Sequence, residues 1–287
     1  MPLCRLVLAL GLPALGLLAP LAPAPAWAET SLAAADLGQV LRLDDLFAIL
    51  HDEGMAYGQD LGDDMGLTED SASAAAWTAE IASLNDPAVM RARFDGAFAA
   101  TLGDDPPTLA AIADFYRSPT GQKVLASELD ARRAFLDIAA EEAARVANDV
   151  ARTGRDPRAA MIDRLIDAGD LVEMNVAGSL SGSLAFMTGF RQTAPASQVL
   201  PADNLASEVW ADEARVRADT TSWMQAYLGL ACLPLSEAEL AAYVDFAESP
   251  AGRRLASARF AGFDAVFLPI SHQLGRATGL ALQGSHI

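Results

Sequence analysis

Few side chains in this sequence have the spacing that enzymes or metal sites require. His51 is followed by Asp52 and Glu53, but no second histidine stands four residues later to place two imidazoles on one helical face for zinc. His272 and His286 lie far along the chain without an evident partner. We therefore predict no metal site and no cofactor, and we assign no catalytic residue.

The acidic segment 60–66 is the other candidate for binding a metal ion. Oxygen ligands and glycines alternate in it, as they do in calcium-binding loops. Its glycine falls at the wrong position, however, and Ser71 stands at the twelfth position, where such loops carry glutamate. The pattern favours a solvated connector.

Nucleophilic chemistry finds little support. Cys232 lies in the apolar run 228–233 without a neighbouring base, which favours a buried thiol over a reactive one. An enzyme nevertheless remains the alternative interpretation. It would be of the hydrolase type, with a site assembled from scattered residues around Tyr116, Lys123 and His51.

The composition predicts an all-α fold. Hydrophobic residues make up 52% of the 287 residues and aromatic residues only 7%, and β-branched residues never form alternating runs. Helix starts are marked by a capping residue before proline at Asp86-Pro87, Asp105-Pro106, Ser118-Pro119, Asp156-Pro157 and Ser249-Pro250. A capping box from Ser236 to Glu239 marks a sixth start.

One long amphipathic helix is predicted from Pro119 to Val150. Its apolar residues recur at spacings of three and four and form a single stripe. The stripe consists of Leu125, Leu129, Leu136, Ala139, Ala143, Val146 and Val150.

Residues 1–28 have the pattern of a cleaved secretory signal. Arg5 supplies a basic start, residues 6–18 an apolar stretch interrupted by proline, and Ala26-Trp27-Ala28 a cleavage site. We expect a periplasmic protein that begins near Glu29 and has no stable membrane insertion after cleavage. The formal net charge of −18 argues against nucleic acid and anionic lipid as partners, because both bind through clustered basic residues.

An internal repeat suggests a duplicated fold. Residues 112–124 align without a gap to residues 243–255, and both copies contain D-F-x-x-S-P-x-G followed by a basic residue. Residues 77–80 match residues 210–213 more weakly. The repeat predicts two tandem, related helical bundle modules, at 29–153 and, in divergent form, at 154–283.

The shared motif predicts a tight corner between two helices. Serine before proline ends one helix and caps the next, and the glycine two residues after the proline lets another part of the chain approach closely. The basic residue that follows is expected to pair with an acidic neighbour such as Asp114 or Asp245. We assign a structural role to the motif residues Phe115, Tyr116, Ser118, Pro119, Gly121, Gln122, Lys123, Phe246, Ser249, Pro250 and Gly252.

These residues resemble an exported bacterial family, the domain of unknown function 2059 (DUF2059), whose members carry F-Y-x-S-P-x-G-Q-K near the start of their final long helix. The first copy matches the whole signature. The second copy departs from it, since Ala247 replaces the tyrosine and Arg253-Arg254 replace Gln-Lys. The resemblance implies an all-helical periplasmic or envelope protein and brings no assigned activity or catalytic residues.

The leading functional hypothesis is a non-enzymatic, envelope-associated binding protein. Duplication without a catalytic cluster suggests that another protein or a small apolar ligand binds between the two halves. A purely structural envelope component is a further alternative, and it predicts a large exposed apolar surface.

Overall fold

The computed structural model describes residues 34–67, 71–199, 201 and 204–284. Every regular element in these ranges is a helix and none is a strand, which confirms the all-α prediction. The predicted signal peptide at 1–28 and His286 lie outside the described residues. Of the helices in the described ranges, none combines the length and apolar character needed to cross a membrane.

The α-helices follow one another through short connections. In chain order they are α1 (Leu37–Val40), α2 (Leu43–Asp64), α3 (Ala72–Leu84), α4 (Pro87–Leu102), α5 (Pro106–Arg117), α6 (Pro119–Ala134), α7 (Ile138–Thr153), α8 (Pro157–Ala168), α9 (Leu171–Thr193), α10 (Leu205–Ala211), α11 (Glu213–Cys232), α12 (Glu237–Glu248) and α13 (Pro250–Gly284). Two 3-10 turns, Ala34–Asp36 and Ala196–Gln198, complete the described elements.

All six predicted helix starts are present. The capping side chain accepts a hydrogen bond from a backbone N–H of the first turn in each case, as Asp86 does from Val89 at 2.9 Å. At α12 the capping box is complete, because Ser236 accepts from the Glu239 N–H while the Glu239 carboxylate accepts from the Ser236 N–H at 2.7 Å. Local cap chemistry therefore defines these boundaries.

The prediction of one helix from Pro119 to Val150 is wrong. Helix α6 ends at Ala134 and α7 begins at Ile138. The break has a local cause, since the Asp137 carboxylate accepts a hydrogen bond from the Ala139 N–H at 2.8 Å and so caps a new helix. Phe135, in the break, is buried against Trp223 with their rings 5.6 Å apart.

The predicted apolar stripe divides at the same break. Leu125 and Leu129 of α6 are buried, but Val146 and Val150 of α7 face solvent with 54% and 67% of their surface exposed. The interpretation of the stripe as continuous across the break is therefore also wrong. Helix α7 instead turns polar side chains toward the protein.

A single large hydrophobic cluster joins the two halves of the chain. It contains Phe47 and Phe94 from the first half and Leu240 and Phe267 from the second. The long helix α13 packs along both α4 and α9. Against α9 it comes close enough that a Cβ on Gly189 would lie 1.9 Å from the backbone oxygen of His272. The division into modules at 29–153 and 154–283 stays a prediction.

Candidate ligand-binding cavity

The first serine-proline corner is closed by its own serine. Ser118 has φ −66° and ψ 158°, which ends α5, and its hydroxyl accepts a hydrogen bond from the Gly121 N–H at 3.0 Å. The same hydroxyl donates to the backbone oxygen of Phe115 at 2.6 Å. A Cβ on Gly121 would lie 2.1 Å from that oxygen, so only glycine fits.

The second corner repeats this geometry. Ser249 has φ −71° and ψ 160°, accepts from the Gly252 N–H at 3.0 Å and donates to the Phe246 oxygen at 2.6 Å. The two corners face each other, because the rings of Phe115 and Phe246 stack with centroids 4.1 Å apart and planes 3° apart. Equivalent motif residues thus form a contact between the halves.

The basic residues of the motif bind across the molecule instead of pairing with their motif aspartates. Lys123 pairs with Glu239 of α12 at 2.7 Å, and the Arg254 guanidinium donates to the backbone oxygen of Leu102 at 3.4 Å. Asp245 lies 4.0 Å from Arg164. Lys123 and Arg254 thus reach the opposite half, so the expected pairing with Asp114 or Asp245 is wrong for these two side chains.

A cavity of about 430 Å³ lies beside the two corners. Its walls come from α2, α5 to α9 and α11 to α13, so both halves contribute. The walls are mostly apolar and aromatic, and they include Trp223, Met224, Leu228, Phe260, Phe263 and Phe267. Such a volume falls within the roughly 300–1,000 Å³ of small-molecule sites.

The cavity extends along α13. Lining residues on this helix run from Gly252 to Phe267. At 1.5 Å per residue this stretch spans roughly 22 Å. A long molecule therefore has room to lie along this helix.

One part of the cavity wall is polar. There the Tyr243 hydroxyl donates to the Glu128 carboxylate at 2.5 Å, and the Tyr227 hydroxyl donates to the Glu128 backbone oxygen at 3.1 Å. The Arg259 guanidinium lies over the Tyr116 ring, 5.5 Å from its centroid, in a cation–π arrangement. Burial raises the pKa of Tyr116 to about 12 and that of Tyr243 well above its usual value, so the phenols stay neutral.

Arg259 differs from the other arginines that line the cavity. Arg132 forms a bidentate pair with Glu53, with both N–O distances at 2.7 Å, and Arg145 pairs with Glu141 at 3.0 Å. Among the described residues no carboxylate forms an ion pair with Arg259. Its guanidinium interacts with the Tyr116 side chain and, at longer range, with Glu128, and its five N–H donors leave room for a ligand acceptor.

Thr220 supplies an unsatisfied polar group in the cavity wall. It lines the cavity with 6% of its surface exposed, and its buried hydroxyl has no hydrogen-bond partner in the described part of the chain. Buried hydroxyls are nearly always satisfied, so an orphan in a cavity wall marks a place for a polar ligand atom. Arg259 and Thr220 lie on different helices, α13 and α11.

The residues of the alternative enzyme site do not come together. Tyr116 lines the cavity, whereas Lys123 pairs with Glu239 and the His51 ring contacts the Asn85 backbone oxygen at 2.8 Å. Of the motif residues, Tyr116, Phe246 and Gly252 line the cavity. Burial raises the pKa of the Cys232 thiol to about 12, which keeps it protonated. In the described ranges no three potential metal ligands lie close enough to hold an ion.

The polar groups that distinguish this cavity were not predicted from the sequence. Glu128, Thr220 and Arg259 belong to no motif. One signal was available for Arg259, because Leu255, Arg259 and Phe263 are four residues apart and share a helical face. A charged residue in an apolar stripe indicates either a buried functional group or a position at the edge of the core. Which residues contact it depends on the tertiary fold.

The fold and this cavity define a class, an all-helical protein with a partly open, mostly apolar cavity. Residues 88–149, from α4 into α7, match a family model described as "Uncharacterized protein conserved in bacteria (DUF2059)", which confirms the resemblance drawn from the first motif. No curated protein and no solved structure matches the chain. The second motif lies outside the matched segment, so the second family copy stays a prediction.

Proposed function

We propose that this protein is an exported binding protein that holds a small, elongated amphipathic molecule in the cavity between its halves. The observation that carries the proposal is a mostly apolar cavity of about 430 Å³ with two polar groups in its wall. Arg259 forms no ion pair with a carboxylate of the described chain, and the Thr220 hydroxyl has no hydrogen-bond partner there. Apolar walls bind the apolar body of a ligand, and the few polar groups fix its orientation through hydrogen bonds.

The chemistry of the polar wall limits what the ligand carries there. Arg259 offers only donors, whereas the Glu128 carboxylate offers only acceptors and already accepts the Tyr243 hydroxyl. A ligand group that both accepts and donates hydrogen bonds, such as a hydroxyl or an amide, would satisfy both. The aromatic side chains Trp223 and Phe263 would contact its apolar body.

Binding is better supported than catalysis. The described residues that line the cavity include neither histidine nor cysteine, and the phenols are neutral. Thr220 has no hydrogen-bonded base to activate its hydroxyl. The hydrolase alternative required Tyr116, Lys123 and His51 to converge, and they lie apart.

The location of this function is part of the proposal. The signal pattern at residues 1–28 supports export to the periplasm. A periplasmic binding protein needs neither the basic surface of a nucleic-acid-binding protein nor a membrane anchor, and the net charge of −18 is consistent with this.

The proposal is tested by blocking the cavity. Ala256 lines it, while its neighbour Ser257 is exposed on the same helix, so Ala256→Phe and Ser257→Phe form a matched pair. The probe is N-phenyl-1-naphthylamine, which fluoresces in apolar surroundings. We expect the natural protein and Ser257→Phe to bind it, and Ala256→Phe to bind at least about tenfold more weakly, since the ring fills the space.

Melting curves establish that both variants are folded. Equal probe binding by all three proteins would place the probe outside the cavity and contradict the proposal. Purification from the native host, followed by solvent extraction and mass spectrometry, identifies a resident ligand. A compound retained by the natural protein but lost from Ala256→Phe supports the proposal, whereas none in either preparation counts against it.

A further inference from the structure

Helix α7 packs with its apolar side outward. Val146 and Val150 have 54% and 67% of their surface exposed, whereas Glu141 on the opposite side has 3%. An amphipathic helix on a soluble protein normally does the reverse. The arrangement leaves hydrophobic side chains in water, where their burial by a partner would be favourable.

The polar side of α7 is held to the protein by specific bonds. Arg145 donates to the Ser222 hydroxyl at 2.7 Å and pairs with Glu141. Arg152 forms two hydrogen bonds with the Asp163 carboxylate, at 2.6 and 3.1 Å. Rotating the helix to bury its apolar side would break these bonds, so the outward orientation is built into the fold.

The exposed stripe has the spacing of a helix-packing surface. Its members alternate at three and four residues, the repeat by which one helix fits against another. They are Ala139, Ala143, Val146 and Val150, and all four are exposed. Alanine and valine are short, so a partner helix can approach closely.

We propose that this stripe binds an amphipathic helix of another protein whose apolar side is flanked by lysine or arginine. Glu142 and Asp149 lie seven residues apart along one edge of the stripe, and both are exposed without an ion pair among the described residues. Basic flanks on the partner would complement them. The proposal does not depend on the cavity.

The same charges disfavour the other occupants of an apolar helical face. A second copy of this chain would present its own Glu142 and Asp149, and the chain carries 38 acidic against 20 basic residues. Helices that lie in a membrane surface carry bulky apolar anchors and a basic polar face. This stripe has alanine and valine, with acidic residues along one edge.

The test uses three synthetic peptides labelled for fluorescence anisotropy. One is an amphipathic helix with a leucine stripe flanked by lysine, the second has glutamate flanks, and the third is a scrambled form of the lysine peptide. The protein variants are Val146→Ser/Val150→Ser and, as a control, Val89→Ser, which changes a valine of α4 that is also exposed (42%). Circular dichroism checks that each variant is folded.

We expect the natural protein and Val89→Ser to prefer the lysine-flanked helix over both other peptides. The double serine variant should bind it about tenfold more weakly. Glu142→Lys/Asp149→Lys should reverse the preference toward the glutamate-flanked helix.

Three outcomes would overturn the proposal. The first is equal binding of the lysine helix and its scrambled form, unchanged in the double serine variant. The second is self-association in sedimentation that the double variant abolishes, which would make a second copy the occupant. The third is binding to phosphatidylcholine vesicles that the double variant abolishes, which would make the occupant a lipid surface.

Discussion

At the scale of single residues, Asp264 on α13 is a buried carboxyl group without a partner. It has 6% of its surface exposed, and neither carboxylate oxygen has a hydrogen bond within the described chain. Burial raises its pKa to about 7, because the charged form loses its hydration. The folded protein therefore keeps a proton on Asp264 at pH values where the unfolded chain, with a pKa near 3.8, has lost it.

This difference in pKa predicts the pH dependence of stability. A raised pKa in the folded state means that stability is highest below the unfolded pKa and falls as the pH rises toward the folded pKa. Asp264→Asn removes the charge and should stabilise the protein at about pH 8 by on the order of 2 kcal/mol. The advantage should disappear near pH 4, where the natural side chain is protonated in both states.

Urea unfolding of both proteins across this pH range measures the difference directly. Asp114→Asn serves as control because Asp114 is exposed, and its stability difference from the natural protein should not vary in this way. Parallel stability curves for the natural protein and Asp264→Asn would contradict the raised pKa.

Residue roles were predictable only where local geometry determines them. The motif predicted that Gly121 and Gly252 permit a close approach, and the structure identifies the approaching group as the backbone oxygen six residues earlier. Asp264, Thr220 and Arg259 gave no such signal. Their importance arises from what other helices bring near them, which a single sequence does not show.

At the scale of helices, the serine-proline corner makes a sharp prediction about its glycine. A Cβ on Gly252 would lie 2.1 Å from the Phe246 oxygen and 2.8 Å from the Ala247 Cα, and backbone atoms cannot move aside cheaply. Gly252→Ala should therefore destabilise the protein by about 1–3 kcal/mol. Gly229, inside α11, has open space around it, so Gly229→Ala should be neutral or stabilise by up to about 1 kcal/mol.

Thermal or urea unfolding of the two alanine variants gives the comparison. The contrast in sign is the informative result, because both changes add the same methyl group inside a helix. If Gly252→Ala were as stable as Gly229→Ala, the corner would be less crowded than the structure shows.

Helix starts were predictable and helix packing was not. Cap chemistry is local, so all six predicted starts are present. The predicted stripe from Leu125 to Val150 looked continuous because apolar residues keep their spacing of three and four residues across the break at Asp137. Which side of α7 faces the protein depends on Ser222 and Asp163, which lie on other helices.

The order of helices adds support for the predicted duplication. Arg42 and Asp170 both adopt the left-handed conformation, with φ 53° and 51°, immediately before the long helices α2 and α9. Each half also contains a 12-residue helix, α5 or α12, that ends at the serine-proline corner. Common ancestry of the halves stays a prediction, because the family match covers only residues 88–149.

At the scale of the whole molecule, the two halves complete each other's core. Phe94 of α4 packs against Phe263 of α13 with ring centroids 4.9 Å apart, and Gly262 lies directly against the Phe94 ring. Met90, Phe94 and Phe98 are at most 2% exposed. Much of the first half is therefore buried by a helix of the second.

This shared core predicts that fragments 34–153 and 154–284 do not fold alone. Exposing a buried Phe or Met costs about 1.5–3 kcal/mol, and several such losses equal the 5–15 kcal/mol that stabilise a typical domain. We expect each fragment to lack a cooperative thermal transition by circular dichroism. An equimolar mixture should regain the transition, because the contacts between α4 and α13 can form again. A cooperative transition in either isolated fragment would instead show that the predicted modules are independent, and the cavity would then lie between two self-sufficient bodies.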